Sequence, residues 1–128
     1  MVRAIFNVNP EIGRLEMRFH GHAGFAEMGK DPVCAGASVL AMAAAQCIDW
    51  MGRHDCMEEP PKIHVAGGNV RVTCRPKEDY FPQVFTVMEV AQVGMLLLQG
   101  AYPEHAAVKT FAAADAEAIK DSSASRTD

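Results

Sequence analysis

The chain has no run of basic residues, no long apolar stretch free of polar interruptions, and no CxxC pair among its cysteines. Sixteen acidic residues against twelve basic ones leave a formal net charge of −4. With no basic cluster along the sequence to offset that balance, nucleic-acid binding is not expected. The first nine residues turn polar by Asn7 and carry neither the apolar core nor the small-residue cleavage site of a secretory signal. The longest apolar run, residues 33–48, is made largely of alanine, is broken by Ser38 and Gln46, and is expected to fall short of a bilayer span. Together these features point to a cytoplasmic protein with no membrane partner. Cys34, Cys47, Cys56 and Cys74 are then expected as free thiols rather than a disulfide framework.

What is present is enough for one domain. A chain of 128 residues with 49% hydrophobic content can bury a modest core. Residues 2–8 place Val2, Ala4, Phe6 and Val8 on one side, and residues 14–20 alternate Leu15, Met17 and Phe19 with polar neighbours. Both read as half-buried strands, joined through the turn chemistry of Asn9-Pro10-Glu11-Ile12-Gly13. Asp31 suits a helix N-cap and Pro32 the first helical position, where a missing N–H costs nothing. Val33, Ala37, Leu40, Ala44, Ile48 and Met51 then form an apolar stripe, and Gly52 reads as the stop. Val39, Met42, Ala43 and Trp50 spread apolar character further round the same helix, which predicts cover on more than one side and motivates a homodimer.

A second hairpin is predicted over residues 62–66 and 69–75, through Gly67-Gly68. A second helix follows from about residue 83 to 102, with Val84, Val87, Met88, Ala91, Met95 and Leu98 near one face. Residues 106–112 fit either a fifth strand or a last helical turn, because alanines obscure the period. The expectation is an α+β fold, a two-layer sandwich with an antiparallel sheet in ββαββα order, over residues 1–113. Residues 114–128, alanine-rich, acidic and then serine-rich, read as a disordered tail.

Chemistry concentrates in residues 21–38. The predicted second strand runs out into Gly21-His22, and Cys34 falls in the first turn of the predicted helix, so a candidate base and a candidate nucleophile stand twelve residues apart. Only the thiolate is nucleophilic, and an ordinary thiol is a few per cent ionised at neutral pH. A helix start, with its unpaired N–H groups, and a neighbouring imidazolium both favour the charged form. The same N–H groups are candidate donors to an oxyanion. Asp31 has three readings: helix cap, orienting partner of His22, or a charge opposing the thiolate. On residue chemistry alone a buried structural cysteine and a solvated rim histidine are the simpler account of the pair. An exposed thiol at a helix start would also suit a redox sensor, although no second cysteine stands beside Cys34 in the sequence to resolve it. A metal site from His20, His22 and Cys34 lacks a second ligand pair at matching spacing, and none is expected. No cofactor motif is present.

The motif Gly21-His22-Ala23, Gly29, Asp31, Val33-Cys34-Ala35 and Ser38 resembles the signature of the Prp family, bacterial ribosomal-processing cysteine proteases. The resemblance implies Cys34 as nucleophile, His22 as base, and Gly21, Asp31 and Ser38 as residues that support the site. It also implies a dimeric enzyme, with the loop over residues 23–30 moving to admit substrate. The implied substrate is the amino-terminal extension of a large-subunit ribosomal protein, cut after an aromatic residue. A non-catalytic assembly factor binding that extension in the same groove is the alternative.

Overall fold

The computed structural model describes residues 1–22 and 30–111. The expected mobile loop, apart from Lys30, and the expected tail at 114–128 lie outside the described residues. In chain order the elements are β1 (Val2–Asn9), β2 (Arg14–His20), α1 (Pro32–Arg53), β3 (Lys62–Ala66), β4 (Asn69–Cys74), α2 (Phe81–Ala101), led in by a 3-10 turn at Glu78–Tyr80, and β5 (Ala106–Lys109). They form an α+β fold with a five-stranded sheet in the order β3-β4-β2-β1-β5. The sheet is antiparallel through its first four strands. The ambiguous segment after Pro103 is strand, and it joins β1 in parallel, Val2 opposite Ala106 and Ile5 opposite Lys109, so the sheet is mixed and the order gains a terminal strand over ββαββα.

The two-residue period of the strands sets the layers. Val2, Ala4, Phe6, Leu15, Met17, Phe19, Val70, Val72 and Cys74 are buried on the side where the helices lie. They meet Val33, Ala37, Ala41 and Ile48 of α1 and Val84, Phe85, Met88 and Met95 of α2. Fully burying each large side chain such as Phe6 or Met17 stabilises the fold by about 1.5–3 kcal/mol. Phe111 closes the core beyond β5, its ring centroid 4.8 Å from that of Phe85 and 5.7 Å from that of Phe6. Two side chains of α2 satisfy backbone donors at that end: Gln99 accepts from Val108 N–H and Gln92 from Phe111 N–H, each at 2.9 Å.

The helices pack closely because each offers a glycine to a leucine of the other: Gly36 faces Leu98, and a Cβ added at Gly94 would collide with the Leu40 side chain. Both helices are long and apolar enough, by length and composition, to cross a bilayer, with mean hydropathies of 1.4 and 1.5. For α1 this corrects the expectation of too short a run. Each nonetheless lends one face to the core, which a soluble protein's core helix also does.

Gly52 does not end α1. The helix runs on to Arg53, His54 closes it by donating its N–H to Met51 C=O, and Asp55 takes the left-handed backbone conformation, φ 62°. Glycine is needed at 52 for space: a Cβ there would lie 2.7 Å from Pro61 Cδ and 3.0 Å from Cγ. A proline ring cannot rotate out of the way, so overpacking of about 1–3 kcal/mol outweighs the helix-propensity gain of about 1 kcal/mol. Gly52→Ala is therefore expected to lower the urea midpoint of unfolding; an unchanged or raised midpoint would show that the α1–β3 connection yields freely.

Candidate active site

His22 and Cys34 line one cleft of about 210 Å³, between the end of β2, the first turns of α1 and the β3–β4 hairpin. Two glycines bring the histidine there. Gly21 turns the chain out of β2 at φ 91°, and a Cβ at this position would strike the carbonyl oxygen of Met1. Its N–H donates to Gly68 C=O at 3.0 Å, which ties the exit of β2 to the hairpin turn. Gly68, at φ 72°, offers a bare Cα to the imidazole: a Cβ there would lie 3.0 Å from His22 Nε2 and 3.1 Å from Cε1. Gly21 thus sets the course of the backbone into His22, and Gly68, which reads from the sequence as hairpin punctuation, packs against the imidazole and lines the same cleft.

Cys34 is half-buried in the first turn of α1. Ser38, one helical turn further along, lines the same cleft, as do Ala37, Ala41 and Met42. Spacing of three and four residues places such side chains on one helix face. Asp31 is buried and acts as the helix N-cap: its Oδ1 accepts from Val33 N–H at 2.9 Å and from Cys34 N–H at 3.1 Å. The capping reading of Asp31 is the one the structure displays. It has a chemical consequence. Pro32 has no N–H, Val33 and Cys34 give theirs to the Asp31 carboxylate, and Ala35 donates to Asp31 C=O at 3.0 Å. The first turn therefore presents no unclaimed donor, and the expectation that helix-start N–H groups hold an oxyanion is not met in this conformation.

The remaining wall is apolar with a polar edge. Phe19, Val65 and Val70 line it beside His20 and Asn69. His20 and Asn69 are register partners on β2 and β4, and each carries a buried ring or amide atom, Nδ1 and Oδ1, with no hydrogen-bond partner among the described residues. Such orphans are uncommon in folded proteins and cluster where function sets the geometry. Among the described residues no three His, Cys, Asp or Glu side chains are placed to hold a metal ion, although His20, His22 and Cys34 all border the cleft. A larger concavity of about 490 Å³ opens on the polar side of the sheet, and neither His22 nor Cys34 reaches it.

The four cysteines form no disulfide and differ in access. Cys47 is exposed, Cys34 is half-buried, and Cys56 and Cys74 are buried. Burial pushes the Cys74 thiol up to about 12. Because the unfolded thiol ionises at lower pH, this group's contribution to stability is complete below about 9 and fades as pH rises toward 12. Alkylation with iodoacetamide at pH 8, followed by mass spectrometry, is expected to label Cys34 and Cys47 in the native protein and Cys74 only after unfolding. Labelling of native Cys74 at the rate of Cys47 would contradict this order.

Solved structures share this fold. The ribosomal processing protease Prp of Staphylococcus aureus, with a covalently linked product peptide, superposes with a TM-score of 0.62 at 22% identity, covering 88% of this chain and 100% of that one. The same protease with a substrate peptide gives 0.58 at 21% identity, covering 88% and 100%. SMU.848 from Streptococcus mutans gives 0.57 at 22% identity, covering 88% and 96%. At such identities the likeness speaks for the fold. No curated protein matches the chain by sequence. Residues 1–107 match the family described as Cysteine protease Prp. By that match over most of its length, the chain belongs to the Prp family of cysteine proteases.

Proposed function

We propose that this protease removes the amino-terminal extension of a large-subunit ribosomal protein in the cytoplasm, with Cys34 as nucleophile and His22 as base, in a catalytic unit spanning residues 1–113. The observation that carries this reading is the joint position of His22 and Cys34 on one cleft in a chain of the Prp family. A relative of the same fold is described with a substrate peptide and with a covalently linked product peptide, which supports a peptide as the ligand of the cleft.

The steps follow from the groups present. The Cys34 thiolate attacks the scissile carbonyl, forming the C–S bond and a tetrahedral oxyanion. His22, as imidazolium, protonates the departing amine as the C–N bond breaks, leaving an acyl-enzyme. His22 then takes a proton from water, which attacks the thioester and frees the new carboxylate and Cys34. With the first-turn N–H groups occupied by Asp31, the oxyanion draws on other donors, and the Ser38 hydroxyl is the donor that α1 offers one turn from Cys34. Phe19, Met42, Val65 and Val70 suit an apolar or aromatic side chain next to the cut.

The test is a cleavage assay with a peptide that spans the ribosomal-protein extension. The intact protein is expected to cut it once. Cys34→Ala and His22→Ala are each expected to fall by at least about a thousandfold, and Ser38→Ala by on the order of a hundredfold in kcat with KM little changed. Full cleavage by either of the first two variants would refute the dyad, and tight binding of the peptide without turnover by the intact protein would favour an assembly factor.

The enzyme is proposed to act as a homodimer through the outer side of the helix layer. Val39, Trp50, Val90 and Leu97 are 59–70% exposed there, with Val93 and Leu96 between them. Large apolar side chains exposed in this number on the two helices are the kind of surface a partner copy covers. Light scattering at micromolar concentration is expected to give twice the mass of the chain, whereas a monomeric mass would refute the dimer.

A further inference from the structure

The sheet has helices on one side only, and among the described residues nothing covers the other. Alternation places Arg3 on β1, Arg14 and Arg18 on β2, Lys62 on β3, Arg71 on β4 and Lys109 on β5 on that uncovered side, each beside residues that face the core. Among the described strands Glu16 is the only carboxylate on the same side, and it pairs with Arg71 at 3.5 Å. The strands are in register, so Lys109, Ile5, Arg18, Arg71 and His64 form a single row with one residue from each strand. At about 4.8 Å per strand the row is about 19 Å long. A protein of net charge −4 therefore carries one face with six cations against two carboxylates, Glu16 and, where the connection into β3 borders the concavity, Glu59. Its other described acids sit on turns, connections and helices. At physiological salt, charges separated by more than about 8 Å are largely screened, so a ligand on this face meets the local charge rather than the net one.

We propose that this face docks structured RNA through its phosphate backbone. The choice of an extended polyanion over a small one comes from the spread of the cations. Only Arg14, Lys62 and Arg71 border the 490 Å³ concavity, and Arg3, Arg18 and Lys109 lie beyond it. The choice of a duplex over a single strand comes from the strands of this face: they carry no Phe, Tyr or Trp on this side, and His64 alone is a narrow platform for stacking successive bases. Arginine, four of the six cations, matches phosphate geometry bidentately. An open sheet face suits the wide, shallow minor groove of A-form RNA, which displays backbone and 2′-hydroxyl groups rather than a sequence code. The choice of RNA over DNA rests on the proposed ribosomal substrate, a protein whose place of work is an RNA surface. The face lies across the sheet from the core and shares neither His22 nor Cys34, so docking leaves the cleft open.

Fluorescence anisotropy of a labelled RNA duplex of about 16 base pairs, titrated with the intact chain between about 50 and 200 mM salt, tests the proposal. Binding is expected, weakening steeply as salt rises. Arg18→Gln combined with Lys109→Gln removes two cations of the central row at exposed positions; it is expected to weaken binding at least about tenfold and lower the salt slope by about two. Arg53→Gln combined with Lys77→Gln removes the same charge away from this face and is expected to change affinity by less than about twofold. No binding at the lowest salt, or equal losses from the two double variants, would overturn the proposal. So would equal competition by polyglutamate, which assigns the face to an acidic protein, or by a DNA duplex of the same sequence. The cleavage assay, run on the same preparations, separates the two readings. RNA binding without cleavage counts against the protease assignment alone, and cleavage without RNA binding counts against the docking face alone.

Discussion

A sheet covered by helices on one side only must divide its side chains strictly, because every shift of one residue exchanges the two faces. That constraint governs this protein. It sends Phe6, Leu15, Met17 and Val72 into the core, and it sends Arg3, Arg18, Arg71 and Lys109 to the other side. It also aims the end of β2: after Phe19 and His20 the chain leaves the ladder through Gly21, and His22 comes to rest on the hairpin turn at Gly68. Burial of the core and placement of the histidine are consequences of one register.

Two kinds of residue then build the cleft without doing its chemistry. Gly21 and Gly68 act through what they lack, one admitting the carbonyl of Met1 and the other the imidazole of His22. Asp31 acts through what it holds, tying up the N–H groups at the start of α1. Its burial fastens the helix end that carries Cys34, and the same bonds withdraw the helix start as an oxyanion site. The helix start is thus a position for Cys34 more than a source of donors.

Much of this was legible from the residues. Alternation in residues 2–8 and 14–20, the Asp31-Pro32 start and the apolar stripe of α1 are local patterns with local causes, and they appear where they were expected. Other features were read differently because their causes are distant in sequence. Gly52 resembled a helix stop, but its neighbour is Pro61. The segment from Ala106 hid its period behind alanines and is strand because β1 offers it a parallel edge. Asn69, Val65 and Val70 entered the cleft with the β3–β4 hairpin, and nothing in their own neighbourhood announced it.

The sequence by itself determined the first four strands and the two helices, the family motif and the pairing of residue types at His22 and Cys34, since propensity, capping and periodicity act over a few neighbouring residues. Only the tertiary structure decided that Asp31 claims the N–H of Cys34, that Gly68 seats His22, and that cations scattered from Arg3 to Lys109 gather on one face. Net charge is a sum over the chain and carries no positions. A ligand meets charge in space, and strand register is what turns scattered residues into a surface.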